Sequence, residues 1–154
     1  DAFGLEMPLG SPEDGYYIRD LLQVSTMMDE LLPHGKPVHL TGFQTPADNE
    51  VDAFDSLAGV RKPNEAGRWH NDWNPTLQAE WLSTVTRLAV SKPFIEGICW
   101  GDLVDVSGAK IPHAGLFDRD LNPRPIYREF RALHQVFGPK PPKHAEPQNG
   151  TADA

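Results

Sequence analysis

Three times along this chain of 154 residues a short apolar strand is followed by a loop and then by an amphipathic helix. No other feature restricts the fold as much, because strands joined through crossover helices pair in parallel and lie in one sheet. The first predicted strand covers roughly residues 2–9. Ser11 followed by Pro12 reads as a cap and first helical position, with Leu21, Val24, Met28 and Leu31 on one stripe and Pro33 and Gly35 as the stop. The second strand is PVHLTGF, about residues 37–43, and Asn74-Pro75 opens a helix whose apolar face is Leu77, Trp81, Val85 and Leu88. The third is FIEGICW at 94–100, after which Pro125 opens a last helix bearing Ile126, Phe130, Leu133 and Phe137. Nearly continuous apolar strands predict an α/β sheet buried on both faces.

The connections are unequal. Links from helix to strand are short, whereas links from strand to helix are long and carry the aromatic and charged residues. That asymmetry is expected where the strand C-terminal ends hold the site, in a doubly wound sheet or a (β/α)8 barrel alike. Three units alone leave two bare sheet edges, which favours an incomplete barrel over a finished domain. The expected division is a barrel portion over 1–138 and a disordered Pro-rich tail over 139–154, where PKPPKHAEPQNGTADA lacks large apolar groups. A chain that opens on Asp1 directly inside a strand reads as a piece of a longer product.

Several function classes fall away on composition and motif. With 14 Lys and Arg against 22 Asp and Glu the formal charge is −8, and such a surface repels a phosphate backbone, so nucleic acid is not expected as a partner. No apolar run approaches the roughly 20 residues of a membrane span, so no membrane is expected either. The single Cys99 excludes an intrachain disulfide framework and is expected to be a buried small hydrophobe. No HxH or HExxH spacing occurs among the six His, so neither a metal nor another cofactor is implied. GxSxG, P-loop and GxGxxG signatures are missing too.

What remains clusters at the strand ends: Glu6, Met7 and Pro8 after the first; Thr41, Gly42, Phe43 and Gln44 after the second; Trp100, Asp102 and Asp105 after the third. The loop of about thirty residues before the second helix, unusually long for one without regular structure, adds Arg68, Trp69, His70, Asn71, Asp72 and Trp73. Indoles beside carboxylates and amides suit carbohydrate, whose ring face stacks while its hydroxyls seek polar partners. Trp81 lies on a helix stripe and reads as core. Trp69 and Trp73 read equally as sugar platforms or as pins holding the loop. Glu96 reads as one half of a structural ion pair.

The ordered strings GLEMPL, PVHLTGF, QAEWL, KPFIEGICWGDLVD and GLFDRDLNPRPIY resemble the C-terminal part of glycoside hydrolase family 10, over roughly residues 1–137. WGDLVD followed by GLFD and NPRPIY is the most specific portion. The resemblance implies strands six to eight of a (β/α)8 barrel with their helices, and an activity of endo-β-1,4-xylanase type. Such enzymes cleave with retention, using a nucleophile and an acid/base carboxylate about 5–5.5 Å apart. The family's nucleophile Glu follows Thr at the end of strand seven, and Gly42 takes that place in Leu40-Thr41-Gly42-Phe43. Its acid/base Glu belongs to strand four, outside the matching region. The likeness further implies stacking by Trp100, hydroxyl contacts from Glu6, Gln44 and Asp102, and a substrate flanked by Trp69 and Trp73. Gln78 matches a common Gln at the start of helix seven. The resemblance implies xylan or a related plant glycan as substrate; Glu6 and Pro8 replace the usual Gln and His of strand six, and Gly108 replaces a second site tryptophan, departures that point away from xylan to another β-glycan. A lost nucleophile fits a sequence error, a deliberate change that traps substrate, or a natural pseudoenzyme. The expected activity is therefore that of a glycosidase scaffold inactive as given; the alternatives are a non-catalytic glycan-binding protein and a partial chain that needs its N-terminal half. Export, to the medium or periplasm, is implied by resemblance alone.

Overall fold

The structure, a computed structural model, describes residues 1–139 except 14, 52, 54–56, 58 and 60. The predicted tail beyond Pro139 lies outside the described residues. Three strands, β1 (Phe3–Pro8), β2 (Val38–Gln44) and β3 (Ile95–Trp100), pair in parallel in the order of the sequence. Leu5 stands opposite Leu40, and Leu40 opposite Ile98. The helices α1 (Leu21–Asp29), α2 (Pro75–Val90) and α3 (Pro125–Phe137) alternate with them among the described residues.

Helix starts with a purely local cause fall where the sequence puts them. The Asn74 side chain accepts the N–H groups of Thr76 and Leu77 and Pro75 occupies the first turn, while Pro125 does the same for α3. The first helix begins later than predicted. Its cap is Asp20, whose carboxylate accepts the Gln23 N–H at 2.8 Å, rather than Ser11. Residues 10–18 are engaged elsewhere: Gly10 N and Ser11 N both donate to Tyr16 O, and Ile18 N donates to Ala66 O at 2.8 Å in the distant second loop. A helix from Ser11 would have to break those bonds. It ends at Asp29, and Leu32–His34 form a separate 3-10 turn closed by Gly35 at φ 61°.

One core holds the molecule together. Val38, Leu40, Phe43 and Met7 from the sheet meet Val24 and Met28 of α1, Leu77, Trp81, Leu82, Val85 and Ala89 of α2, and Ile126 and Leu133 of α3. Trp81 is fully buried and stacks on Phe43 at 4.8 Å, as its place on the stripe predicts. Phe137, expected on the apolar face of α3, is 40% exposed.

Contrary to the expected double burial, the sheet alternates. Val38 and Leu40 are buried, yet Gly4, Glu6, His39, Glu96 and Cys99 are exposed and Thr41 and Gly97 only half-buried. Those positions are small or polar, and among the described residues no helix covers them. Cys99 is therefore an exposed thiol and not a buried hydrophobe. His39 Nε2 and Glu96 Oε2 approach to 4.0 Å on the same exposed face, consistent with an ion pair that contributes little in water.

Candidate functional site

Parallel pairing carries the ends of β1, β2 and β3 to one rim, and two juxtapositions there join residues far apart in sequence. At the first, an ideal Cβ built on Gly42 points at the Glu6 side chain, 3.9 Å from its Cγ, and meets nothing else within 4 Å. Gly42 has φ 61°, a conformation that costs an L side chain roughly 1–2 kcal/mol. The register shifts on both sides of this stretch, between Glu6 and Pro8 and between Leu40 and Phe43, so Gly42 lies in an irregularity of the ladder. The glycine thus suits the backbone it occupies, and Glu6 is the carboxylate facing it.

At the second, the buried Gln44 donates from Nε2 to Asp102 Oδ2 at 2.5 Å across 58 residues. Gly101 permits the approach, since a Cβ there would fall 2.4 Å from Gln44 Cδ. Leu9 N donates to Gln44 O at 2.9 Å, which ties β1 to the same point.

The aromatic residues divide. Trp100 is 7% exposed, edge-on to Phe43, and its Nε1 donates to Ala114 O at 2.7 Å, so a ligand would meet only its rim. Trp73 is 3% exposed and belongs to the core, which favours the pin over the platform. Trp69 is half-buried and packs 4.4 Å from His70, whose φ of 65° lets Asn71 N return to Trp69 O. Arg68 and Asp72 close that turn at 3.1 Å.

Sequence reasoning missed a strap, residues 113–117, that lies between the two loops. His113 O accepts Ala47 N at 3.0 Å from the loop after β2. Gln78 of α2, fully buried, reaches both Thr45 O at 2.7 Å and His113 O at 3.4 Å. On the other side Leu116 N donates to Asp102 O and Phe117 O accepts Asp105 N. The strap is anchored through Asp105, whose carboxylate accepts the Gly115 N–H at 2.8 Å, pairs with Arg124, and faces His113 Nδ1 at 3.6 Å. Burial alone would push the Asp105 carboxyl up, but His113, the Gly115 N–H and Arg124 outweigh it and hold it below the ordinary carboxylate value. The carboxylate in turn raises His113 above its ordinary value, against the opposing effects of burial and of Arg124. Nothing in the spacing of Asp105, His113 and Arg124 announces this triad; the one local sign is the positive φ of His113, 54°, which only the backbone reveals.

Among the described residues no group of three His, Cys, Asp or Glu is placed to hold a metal ion, and no helix is long and apolar enough to cross a membrane. A cleft of about 320 Å³ between β3 and α3, lined by Val90, Ile98, Phe130 and Phe137, lies apart from the strand-end residues.

No family model and no curated protein matches the sequence. Solved structures do. Xylanase 10B from Thermotoga petrophila RKU-1, in complex with xylobiose, aligns at TM-score 0.54 and 17% identity over 88% of this chain and 36% of its own. A β-glucuronidase from Faecalibacterium prausnitzii aligns at 0.56 and 14% over 88% and 22%. Another from Ruminococcus gnavus, in complex with uronic isofagomine, aligns at 0.51 and 20% over 72% and 18%. At such identities the likeness is one of fold: this chain has the fold of a part of these glycoside hydrolases, spanning 36% of the xylanase and about a fifth of each glucuronidase.

Proposed function

We propose that this chain is the strand-six-to-eight portion of a barrel glycoside hydrolase scaffold related to family 10, built for a β-1,4-linked glycan of the xylan type and inactive by itself. One observation carries the reading. In a fold shared with part of a xylanase, the position to which the sequence resemblance assigns the nucleophile is Gly42, in a left-handed backbone, with Glu6 in front of it. A retaining reaction needs a carboxylate aligned with the anomeric carbon to within a fraction of an ångström. Glycine supplies none, and Glu6 belongs to the neighbouring strand. The remaining rim groups are those that bind sugar hydroxyls: Glu6, and the Gln44–Asp102 pair with the lone pairs it leaves free. Trp69, half-buried, is the ring best placed to offer a face.

The test is incubation of the whole chain with xylan and xylohexaose, with reducing-sugar release and tryptophan emission followed in parallel. Saturable quenching without release is the expected result for a glycan-binding form. Enzymatic release would overturn the reading. Partner dependence is a second reading, favoured by the outer edges of β1 and β3, which are unpaired among the described residues. It predicts that the chain sediments as oligomers and becomes monodisperse when mixed with a polypeptide carrying the first five βα units.

A further inference from the structure

We propose that His113 is a proton-gated positioning residue, which through Asp105 and the strap 113–117 sets the geometry of the Gln44–Asp102 pair. The inference concerns that pair whatever ligand it serves, so it stands or falls apart from the glycan reading.

Both halves of the pair hang from the strap. Gln44 is held through the loop that follows it, by Ala47 N to His113 O and by Gln78 bridging Thr45 O to His113 O. Asp102 is held by Leu116 N, and Trp100 beneath it by Ala114 O. A shift of His113 therefore moves both partners of one hydrogen bond, through main-chain bonds and the Gln78 side chain, none longer than 3.4 Å.

His113 is also the member of the strap with reason to shift. Its backbone is left-handed, a conformation sparsely populated by residues with a side chain even though histidine visits it more often than most, so its contacts help to hold it there. The Asp105 carboxylate, 3% exposed at the side chain, faces its Nδ1 at 3.6 Å. That is an ion-pair distance when the imidazole carries two protons, and a weaker ion–dipole contact when it carries one. Three charged groups face the ring: Asp105 and Arg124 of the strap's anchor, and Asp48 of the loop after β2. Two carboxylates against one guanidinium favour the imidazolium. Protonated, His113 is drawn to Asp105 and its end of the strap is clamped; neutral, it leaves Asp105 to Arg124 and the Gly115 N–H, and the strap is free to relax at the His113 end.

The experiment is a pH titration of the whole chain by NMR between pH 5 and 8.5, reading the His113 ring protons, the Trp100 indole N–H and the Gln44 side-chain amide. The expected result is a shift in all three with one common midpoint above 6.5. In His113→Asn, which tolerates the left-handed backbone, the indole and amide shifts should vanish while the dispersed amide spectrum persists. If those two signals stay flat in the native chain, or titrate with a midpoint different from that of His113, the proposal is wrong. The midpoint comparison uses the unmodified chain alone, so it decides the matter even where the variant fails to fold.

Discussion

Replacing Gly42 by alanine isolates the backbone contribution at a left-handed position on the strand-end rim. An added Cβ meets only Glu6 Cγ, at an ordinary 3.9 Å, so the substitution brings no clash. Its cost is conformational. Holding alanine at φ 61° costs about 1–2 kcal/mol, and the stiffer unfolded chain returns about 0.4–1 kcal/mol. The net loss is roughly 1 kcal/mol, or about 2–4 °C in Tm for a chain of this size. Asparagine tolerates the left-handed region, so Gly42→Asn should lose less than Gly42→Ala although its side chain is larger. Urea denaturation followed by tryptophan emission measures both. An alanine variant as stable as the parent, or an asparagine variant weaker than the alanine one, would refute the argument that this backbone selects glycine. The same reasoning bears on restoring a carboxylate: Gly42→Glu carries the alanine strain and adds repulsion from Glu6, so its deficit should shrink as pH falls towards the carboxylate range.

Other consequences are equally direct. Gly115→Ala should be far more damaging than the change at 42, because its Cβ would fall 2.6 Å from both Asp105 N and Phe117 O, backbone atoms that cannot step aside; a loss no greater than that of Gly42→Ala would contradict the strap. Stability should depend on pH through two groups with opposite signs. His113, raised on folding, stabilises fully below its ordinary value of 6.5 and loses that contribution as pH climbs through its higher folded value. Asp105, lowered on folding, stabilises above its ordinary 3.8 and loses that contribution as pH falls through its still lower folded value. Urea midpoints measured from pH 3 to 9 should therefore plateau between the two, and in Asp105→Asn the alkaline slope due to His113 should flatten. Cys99 should react with a thiol reagent in the native chain; labelling only in denaturant would place it inside after all.

Order, pairing and handed alternation of the elements were legible because their causes are local. Asn74-Pro75 and Pro125 stop a strand-like segment and start a helix whatever lies around them. Ser11-Pro12 offers the same local signal and misleads, since the Tyr16 carbonyl is taken by the Gly10 and Ser11 N–H groups and the Ile18 N–H is given to Ala66, about fifty residues away. Burial of Cys99 was misjudged for a related reason. Periodicity tells which residues share a face, as His39, Gly97 and Cys99 do, but not which face the helices cover. The strand-end rule located Glu6, Gly42, Gln44 and Asp102 on one rim. It could not foresee that Gln44 and Asp102 bond each other, because Gly101 allows that contact only in three dimensions. His113 left no trace in the sequence: Asp105 and Arg124 lie 8 and 11 residues away with no periodic relation, and its links to Ala47 and Gln78 come from a carbonyl that every residue possesses.

The sequential strand order makes the middle unit different in kind from its neighbours. Among the described residues β2 alone is hydrogen-bonded on both sides, and α2 behind it packs against both α1 and α3. Either outer unit can fray while the other two remain joined, but opening β2 breaks both ladders at once. The slowest-exchanging amides should accordingly be those around Leu40, which give the lifetime of the whole molecule. Those of β1 and β3 report only the lifetime of an end. A protein assembled in this way loses its outer strands one at a time and its centre only when everything goes.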